Sequence, residues 1–456
     1  MTLVSTCAVC FVCRHGSPRI MASTFRSILA CVTSKKLRIT ILALNYAPEP
    51  TGNAPYTSRL AELLAEEGHE IHVLTGYPYY PEWKIAEGYT GWSRREVIRG
   101  VHVKRLRHFV PVTVNSLHRM HMELSFGVRL MFAKWHNPDV VLVVSPALFS
   151  TALAIARSRL SLSRPSTGIW VQDIYSRGLE ETGSGSALAV KIMKKFEGAV
   201  LNAATAVTVI HDRFATYVTS EFGIPANRVG TIRNWTHLQP QTKIDRVATR
   251  AKYGWSEGDT IVLHAGNIGV KQGLDNVVSS ARVAESRGSR VIFVLLGDGN
   301  QREAIQLAAN GLKNIQFIPT LPDEEFLSTL NSADILLVNE LAGLQEMSVP
   351  SKLTSYFSTS LPVIAATEHG STTAGEILLS GAGVRVDPGA PEALLDCAED
   401  LSKDSTRMQE LGRAGRLYAE SRLSEEHAII QYSKWLGHLA AIKQDASISA
   451  RPKLRL

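Results

Sequence analysis

The chain has 456 residues, 45% hydrophobic and 20% charged, which is the balance of a soluble globular protein whose cores do without disulfide staples. The length exceeds one ordinary core and fits two large domains. The formal charge of +7 sits in the tails, since residues 1–38 hold six basic groups and no acid, residues 441–456 carry +3 and the body between them is −2; nucleic-acid binding by a basic globular face therefore has no support.

Residues 1–37 read as a basic, disordered extension. Cys7, Cys10 and Cys13 form a C-x2-C-x2-C run, but the fourth ligand that zinc needs is not at finger-like spacing, so free thiols in a reducing cytoplasm are expected rather than a metal. Arg14, His15 and Arg19 interrupt the apolar stretch a signal peptide would need, and Met21 is an alternative start. From Arg38 onward short β-branched runs alternate with amphipathic segments, the pattern of parallel sheets covered by helices. The first set comprises strands at 39–44, 71–75, 101–105, 140–144, 167–171 and 206–210, with a helix from Tyr56 that stops at Gly68. This predicts a doubly wound domain over 38–235. A polar stretch at 236–259 precedes a second set of strands at 260–264, 291–296, 315–318, 334–338, 363–365 and 383–386, which predicts a second doubly wound domain over 236–423. Helices are expected at 391–403, 405–421 and 425–443, and a mobile tail over 444–456.

Between Arg94 and Lys134 nine basic residues face only Glu96 and Glu123. That stretch reads either as a solvated face or as a contact for an anionic membrane surface or a pyrophosphate-bearing lipid, helped by the amphipathic run 117–135. No transmembrane helix is predicted, because the longest apolar runs, such as Val140–Val144, are strand-sized.

Several loops fall at the carboxyl ends of strands, where α/β proteins bind ligands. The loop 45–53 (N-Y-A-P-E-P-T-G-N) carries Gly52, which lets a backbone approach a ligand, and Asn53. Its counterpart in the second set, 264–273 (H-A-G-N-I-G-V-K-Q-G), offers three glycines with Asn267, Lys271 and Gln272 as a pyrophosphate cradle. Neither is a dinucleotide fingerprint or a P-loop. Asp173, ending a strand, either engages an acceptor hydroxyl and its proton or caps the next helix. His211 is a similar edge candidate with a structural alternative, and Gly299 in L-G-D-G either contacts a ribose or base or only turns the chain. Finally, M-S-V-P-S-K at 347–352 reads as a helix opening in which Pro350 suits the first turn, Ser348 or Ser351 caps, and Lys352 reinforces an anion site; an ordinary capped crossover is the alternative.

Taken together, Y-A-P-E-P-T-G at 46–52, W-V-Q-D at 170–173, R-N-W at 233–235, H-A-G-N-I-G-V-K-Q-G at 264–273, L-L-G-D-G at 295–299 and V-P-S-K-L-T-S-Y-F at 349–357 resemble the family-four retaining glycosyltransferases of the GT-B fold. The likeness is to the bacterial group that builds exopolysaccharide and O-antigen units, among them colanic-acid-type fucosyl or amino-sugar transferases. The resemblance implies an α/β architecture of two doubly wound Rossmann-like domains facing across a cleft, the last helix returning to the N-terminal domain. It implies a nucleotide-diphosphate sugar as co-substrate on the C-terminal domain and a glycan or polyprenyl-diphosphate-linked acceptor on the N-terminal one; no metal or other cofactor is expected, because no D-x-D motif sits where it would coordinate a diphosphate. Gly52 would approach the donor, and Lys271 or Gln272 its pyrophosphate. The family usually has Arg where this chain has Asn267, and its glutamate pair falls at Met347 and Ser355; Ser355 would hold the ribose as a neutral partner, and Glu346, or else Glu340, would stand in for the carboxylate that faces the sugar. Ser360 replaces a usual glycine.

The function so implied is hexosyl transfer with retention in cell-surface polysaccharide synthesis, with Glu346, Asp173 and Lys271 as catalytic residues, in the cytoplasm and peripherally at the inner face of the cell membrane. A sugar-nucleotide 2-epimerase would need more carboxylates and histidines in the cleft, and a non-catalytic nucleotide-sugar-binding homologue is favoured only by the missing glutamates.

Overall fold

Two parallel sheets organise the chain, each built from buried β-branched runs that read as nearly continuous apolar strings because helices cover both faces. The computed structural model describes residues 36–50, 52–113, 115–181, 186–236, 244–343 and 351–449. The first sheet contains β1 (Arg38–Ala43), β2 (Glu70–Gly76), β3 (Ser93–Ile98), β4 (Val101–Leu106), β5 (Val140–Ser145), β6 (Ser166–Val171), β7 (Ala206–Val209) and β8 (Val229–Thr231) in the order β3-β4-β2-β1-β5-β6-β7-β8. Its helices are α1 (Ala54–Glu66), α2 (Ser116–Phe132), α3 (Leu148–Leu160), α4 (Tyr175–Glu181), α5 (Ala187–Ala203) and α6 (Asp212–Ser220). The second sheet contains β9 (Thr260–Ala265), β10 (Val291–Leu296), β11 (Ile315–Ile318), β12 (Ile335–Asn339), β13 (Val363–Ala366) and β14 (Gly383–Val386) in the order β11-β10-β9-β12-β13-β14. With it go α7 (Arg246–Tyr253), α8 (Asp275–Arg287), α9 (Arg302–Ala308), α10 (Asp323–Ser332), α11 (Lys352–Ser358), α12 (Thr372–Ser380), α13 (Pro391–Lys403) and α14 (Ser405–Arg422), followed by α15 (Glu425–Ser449).

Both sheets reverse their winding once. The order changes direction between β1 and β5 in the first and between β9 and β12 in the second, so each has a crevice at the carboxyl ends of those strands. Helix α15 returns to the first sheet: Tyr432, Leu436 and Leu439 are buried there with Trp170 and Trp235. Gly168 on β6 makes the approach possible, since a Cβ at that position would lie 2.5 Å from the Trp435 ring. Burial of each large side chain contributes about 1.5–3 kcal/mol, and Trp170 and Trp235 of the quoted motifs are thereby accounted for as packing.

Several details differ from the sequence reading: β8 was not expected, and α15 runs to Ser449, into the stretch from 444 that was expected to be a mobile tail. Strand β3 was not expected, because Ser-Arg-Arg-Glu-Val-Ile lacks an apolar alternation; it pairs antiparallel with β4 at the sheet edge, where charged residues guard against further pairing. Helix α11 begins at Lys352, and Ser351 adopts helical dihedrals with no capping bond from its side chain, so it does not cap as expected. Ser360 lies at φ +63°, which explains physically why glycine suits that position. Residues 1–35 with their cysteines, and the expected site and helix-start residues Glu346, Met347, Ser348 and Pro350, lie outside the described residues.

Candidate active site

The crevice of the second sheet is assembled by interlocking turns. After β9, the loop 266–273 is held against the turn that follows β10: Gly266 N donates to Leu296 O at 2.9 Å, Ile268 N to Asp298 O at 2.9 Å and Gln301 N to Ile268 O at 3.0 Å. Two glycines are required by this fit. A Cβ on Gly297 would fall 1.9 Å from Gly266 O, and one on Gly299 would fall 2.3 Å from Ile268 O and 2.6 Å from Asn267 Oδ1. Gly299 thus serves the docking of two loops, a packing reason for the turn that the sequence offered beside a ligand contact. The other end of the loop is tied to β12, as Leu341 N donates to Lys271 O at 2.9 Å and Asn339 Nδ2 donates to Gln272 O at 2.8 Å and Gly273 O at 3.0 Å. Within the loop the Gln272 amide oxygen accepts from Gly269 N at 3.1 Å and from Asn267 Nδ2 at 3.3 Å. Asn267 is exposed and Lys271 and Gln272 are half-buried.

Lys352 reaches the same loop from α11. Its ammonium lies 3.2 Å from His264 Nε2, over the turn at Gly266. His264 is fully buried, and burial first and the Lys352 charge second hold its pKa well below 6.5, so the neutral ring accepts from the ammonium. Tyr356, one turn later, anchors the helix: its hydroxyl accepts from Ala265 N at 2.8 Å and donates to Leu337 O at 3.3 Å. Ser355 is only 9% exposed. Glu340, the other candidate for a sugar-facing carboxylate, is 4% exposed and accepts from the hydroxyls of Thr367 and Thr373, so it is turned into the domain.

Across the cleft, Gly52 (φ +68°, open on its Cβ side) and Asn53 stand at the start of α1. Asn53 makes no side-chain cap. Asp173 is exposed at the end of β6, with Oδ1 accepting from Ile174 N at 2.8 Å. It does not cap α4, because buried Glu197 accepts from Tyr175 N and Ser176 N at 2.8 and 2.9 Å. His211 caps α6 through Nδ1 on Phe214 N at 3.3 Å, its structural alternative. The structure therefore gathers Asn267, Lys271, Gln272, Gly299 and Lys352 around one crevice and puts Gly52, Asn53 and Asp173 on carboxyl edges of the other sheet.

Two arrangements escaped the sequence. Glu49, inside Y-A-P-E-P-T-G, is buried and accepts from Tyr79 N at 2.9 Å, Tyr80 N at 3.0 Å and Tyr46 N at 3.2 Å; it fastens the Gly52 loop to the loop after β2, and burial raises its pKa against those bonds. An acid between two prolines in an apolar motif was the available signal. Arg233 of R-N-W bridges the domains, pairing with Glu376 of α12 and, at 2.9 Å, with Asp212, while Tyr418 donates to Glu376 at 2.9 Å. Arg213 donates to Gly370 O, so the carboxyl ends of β7 and β13 meet. A cavity of about 610 Å³ lies between them, lined among others by His211, Arg233, Glu376 and Arg385.

Residues 51–235 match the family model described as a glycosyl transferase 4-like domain and residues 245–418 the model of glycosyl transferases group 1. An Escherichia coli K12 protein, named as the colanic acid biosynthesis glycosyl transferase WcaI, is 30% identical over 416 residues, which is 87% of this chain and 98% of that protein. The chain belongs to the family-four-like GT-B glycosyltransferases. As a glycosyltransferase it is a transferase by activity, which sets the epimerase and non-catalytic readings aside. The GT-B fold recurs in sucrose-phosphate synthase from Thermosynechococcus elongatus (TM-score 0.67, 15% identity, 89% of this chain and 100% of that one) and in Anabaena Alr3699/HepE in complex with UDP (0.65, 13%, 88% and 100%).

Proposed function

We propose that this glycosyltransferase moves a hexosyl unit, with retention, from a nucleotide-diphosphate sugar to a hydroxyl of a lipid-linked glycan in cell-surface polysaccharide synthesis. The observation that carries the reading is the convergence of Lys271, Lys352 and the glycine-bearing loop 266–273 on the crevice between β9 and β12. Two cations and a backbone held away from side chains suit a diphosphate. The Anabaena neighbour's UDP complex supports a nucleotide donor, and the E. coli relative's name supports a polysaccharide product.

In this mechanism the diphosphate leaves into the Lys271 and Lys352 cradle, which stabilises the charge that develops on it. The leaving phosphate takes the acceptor proton on the face it departs from, so no separate nucleophile is activated. Asp173 orients the acceptor hydroxyl, Gly52 and Asn53 close the donor from the other domain, and Ser355 serves the ribose as a neutral partner. The role of the sugar-facing carboxylate falls to Glu346 by its place in the sequence. An acceptor carried on a polyprenyl diphosphate brings the enzyme to the inner face of the cell membrane. Among the described residues no helix is long and apolar enough to cross a membrane.

Incubation with a panel of nucleotide sugars tests the reading. Release of free nucleoside diphosphate only when a lipid-extracted glycan acceptor is present supports it, and the anomeric configuration of the product, read by NMR, tests retention. Binding without turnover for every pair overturns it.

A further inference from the structure

The cavity of about 610 Å³ between the carboxyl ends of β7 and β13 shares no residue with the donor crevice or with the acceptor positions. It runs the length of α12, a helix of nine residues and so about 13 Å, and its two ends differ in chemistry. At the amino end of α12 stand three arginines, Arg213 and Arg233 from the first half of the chain and Arg385 from β14. Arg233 is matched by Glu376 and Asp212, and Arg385 pairs with Asp387 at 2.8 Å while donating to Thr367 O at 2.7 Å. Arg213 donates to Gly370 O and, among the described residues, has no carboxylate within ion-pair distance. One cation in excess therefore lines this end.

The other end is apolar. Leu378 is 84% and Leu379 61% exposed, and half-buried Leu411 of α14 adds a third leucine to the lining. Gly375 lies one turn before the two exposed leucines on the same helical face. A Cβ on it would meet nothing within 4 Å, so no neighbour in the protein requires glycine there, and in a helix interior glycine is less favourable than alanine. Leaving out the side chain keeps the groove beside the leucines open. An anionic head at Arg213 and an aliphatic chain along Leu378 and Leu379 answer both ends at once. A single excess cation suits a monoanion, and the guanidinium fork matches the two oxygens of a carboxylate.

We propose that the α12 cavity binds a single-chain aliphatic carboxylate, with its head on Arg213 and its chain against Gly375, Leu378 and Leu379. Arg213 opens α6 in one half of the chain and the leucines close α12 in the other, so one occupant touches both halves. The site stands apart from the groups of the transfer reaction and does not depend on which sugar donor they take.

Calorimetry of the full chain with decanoate tests it. Decanoate should bind once per chain; acetate, which lacks the chain, and decyltrimethylammonium, which reverses the head charge, should not. R213Q should weaken decanoate binding by about tenfold or more, the loss expected when a charged hydrogen bond is removed. G375L should weaken it by a similar factor by filling the groove, and its thermal midpoint should not fall, since leucine favours a helix more than glycine does. That midpoint separates a blocked site from an unfolded protein. L378S/L379S should weaken decanoate binding with charge intact. Saturating UDP or GDP should leave decanoate binding unchanged; displacement would put decanoate in the donor crevice and overturn the proposal. No binding of decanoate, equal binding of decyltrimethylammonium, or wild-type decanoate affinity in both R213Q and G375L overturns it as well. So does a dimer that L378S/L379S dissociates in sedimentation velocity, because a second copy would then cover the leucines. Failure of UDP and GDP to bind, with decanoate binding kept, supports this site and sinks the donor reading alone.

Discussion

The Lys352 ammonium sits 3.2 Å from the buried imidazole of His264, so the cation at the crevice rests on a neutral acceptor and keeps its charge for a ligand. Lys352→Ala or Lys271→Ala should raise the dissociation constant of UDP or GDP on the order of tenfold or more, as befits a charged hydrogen bond of about 1.5–3 kcal/mol. Calorimetry reads it; an unchanged constant removes that lysine from the cradle. The same pair sets a pH limit. His264 has a folded pKa well below 6.5, so as pH falls below 6.5 the unfolded chain takes up a proton that the folded one refuses, and stability drops.

Glu123 sets the opposite slope. Burial raises its pKa to about 7, against bonds from the Phe149 and Leu148 amides and the Arg119 charge. The folded state therefore binds a proton that the unfolded state has lost between the ordinary carboxyl value of 4.5 and about 7, so stability declines as pH rises through that window and the penalty is complete above it. Glu123→Gln should flatten this part of the melting-temperature profile. A profile identical to wild type between those pH values refutes the assignment.

Gly297→Ala or Gly299→Ala should unlock the two loops of the crevice. The added methyl group meets backbone carbonyls at 1.9 and 2.3 Å, too close for small adjustments, so a loss of about 2 kcal/mol or more in denaturant stability is expected. Weaker nucleotide binding should accompany it. Wild-type stability for either variant contradicts the packing described.

Arg233→Met and Glu376→Gln test the link between the domains. Their guanidinium and carboxylate pair across 143 positions of sequence, and a coupling of about 0.5–3 kcal/mol is expected from a double-mutant cycle, read as a change in chemical denaturation. Additive effects would mean that the contact contributes nothing.

Glu123→Gln and the glycine variants also mark where sequence reading stops. Val140–Val144 or Val291–Leu296 announce buried parallel strands by composition, and the loops after β9 and β12 follow from strand order, so the fold and the crevice between β9 and β12 were legible. Ser93–Ile98 was not, because an edge strand is chosen by the neighbour it pairs with and carries charges that read as loop. Glu49 looked like one polar residue in a motif; its partners are amides some thirty positions away, and amides have no signature of their own. Gly299 read equally as a ligand contact or a turn, and only the fold shows that Ile268 O fills the space a side chain would need there. Glu340 was a plausible catalytic carboxylate by position, and only the threonines from a later loop and helix reveal that it is internal.

The chain passes between its two halves twice, and Thr236 N donates to Leu423 O at 3.2 Å where those passages meet. Two strands of the same ribbon fastened side by side act as a single pin. The same two halves are joined again through Arg233 and Glu376 and through Arg213 and Gly370 O, so Lys352 and Gly52 are held across the cleft from more than one point of attachment.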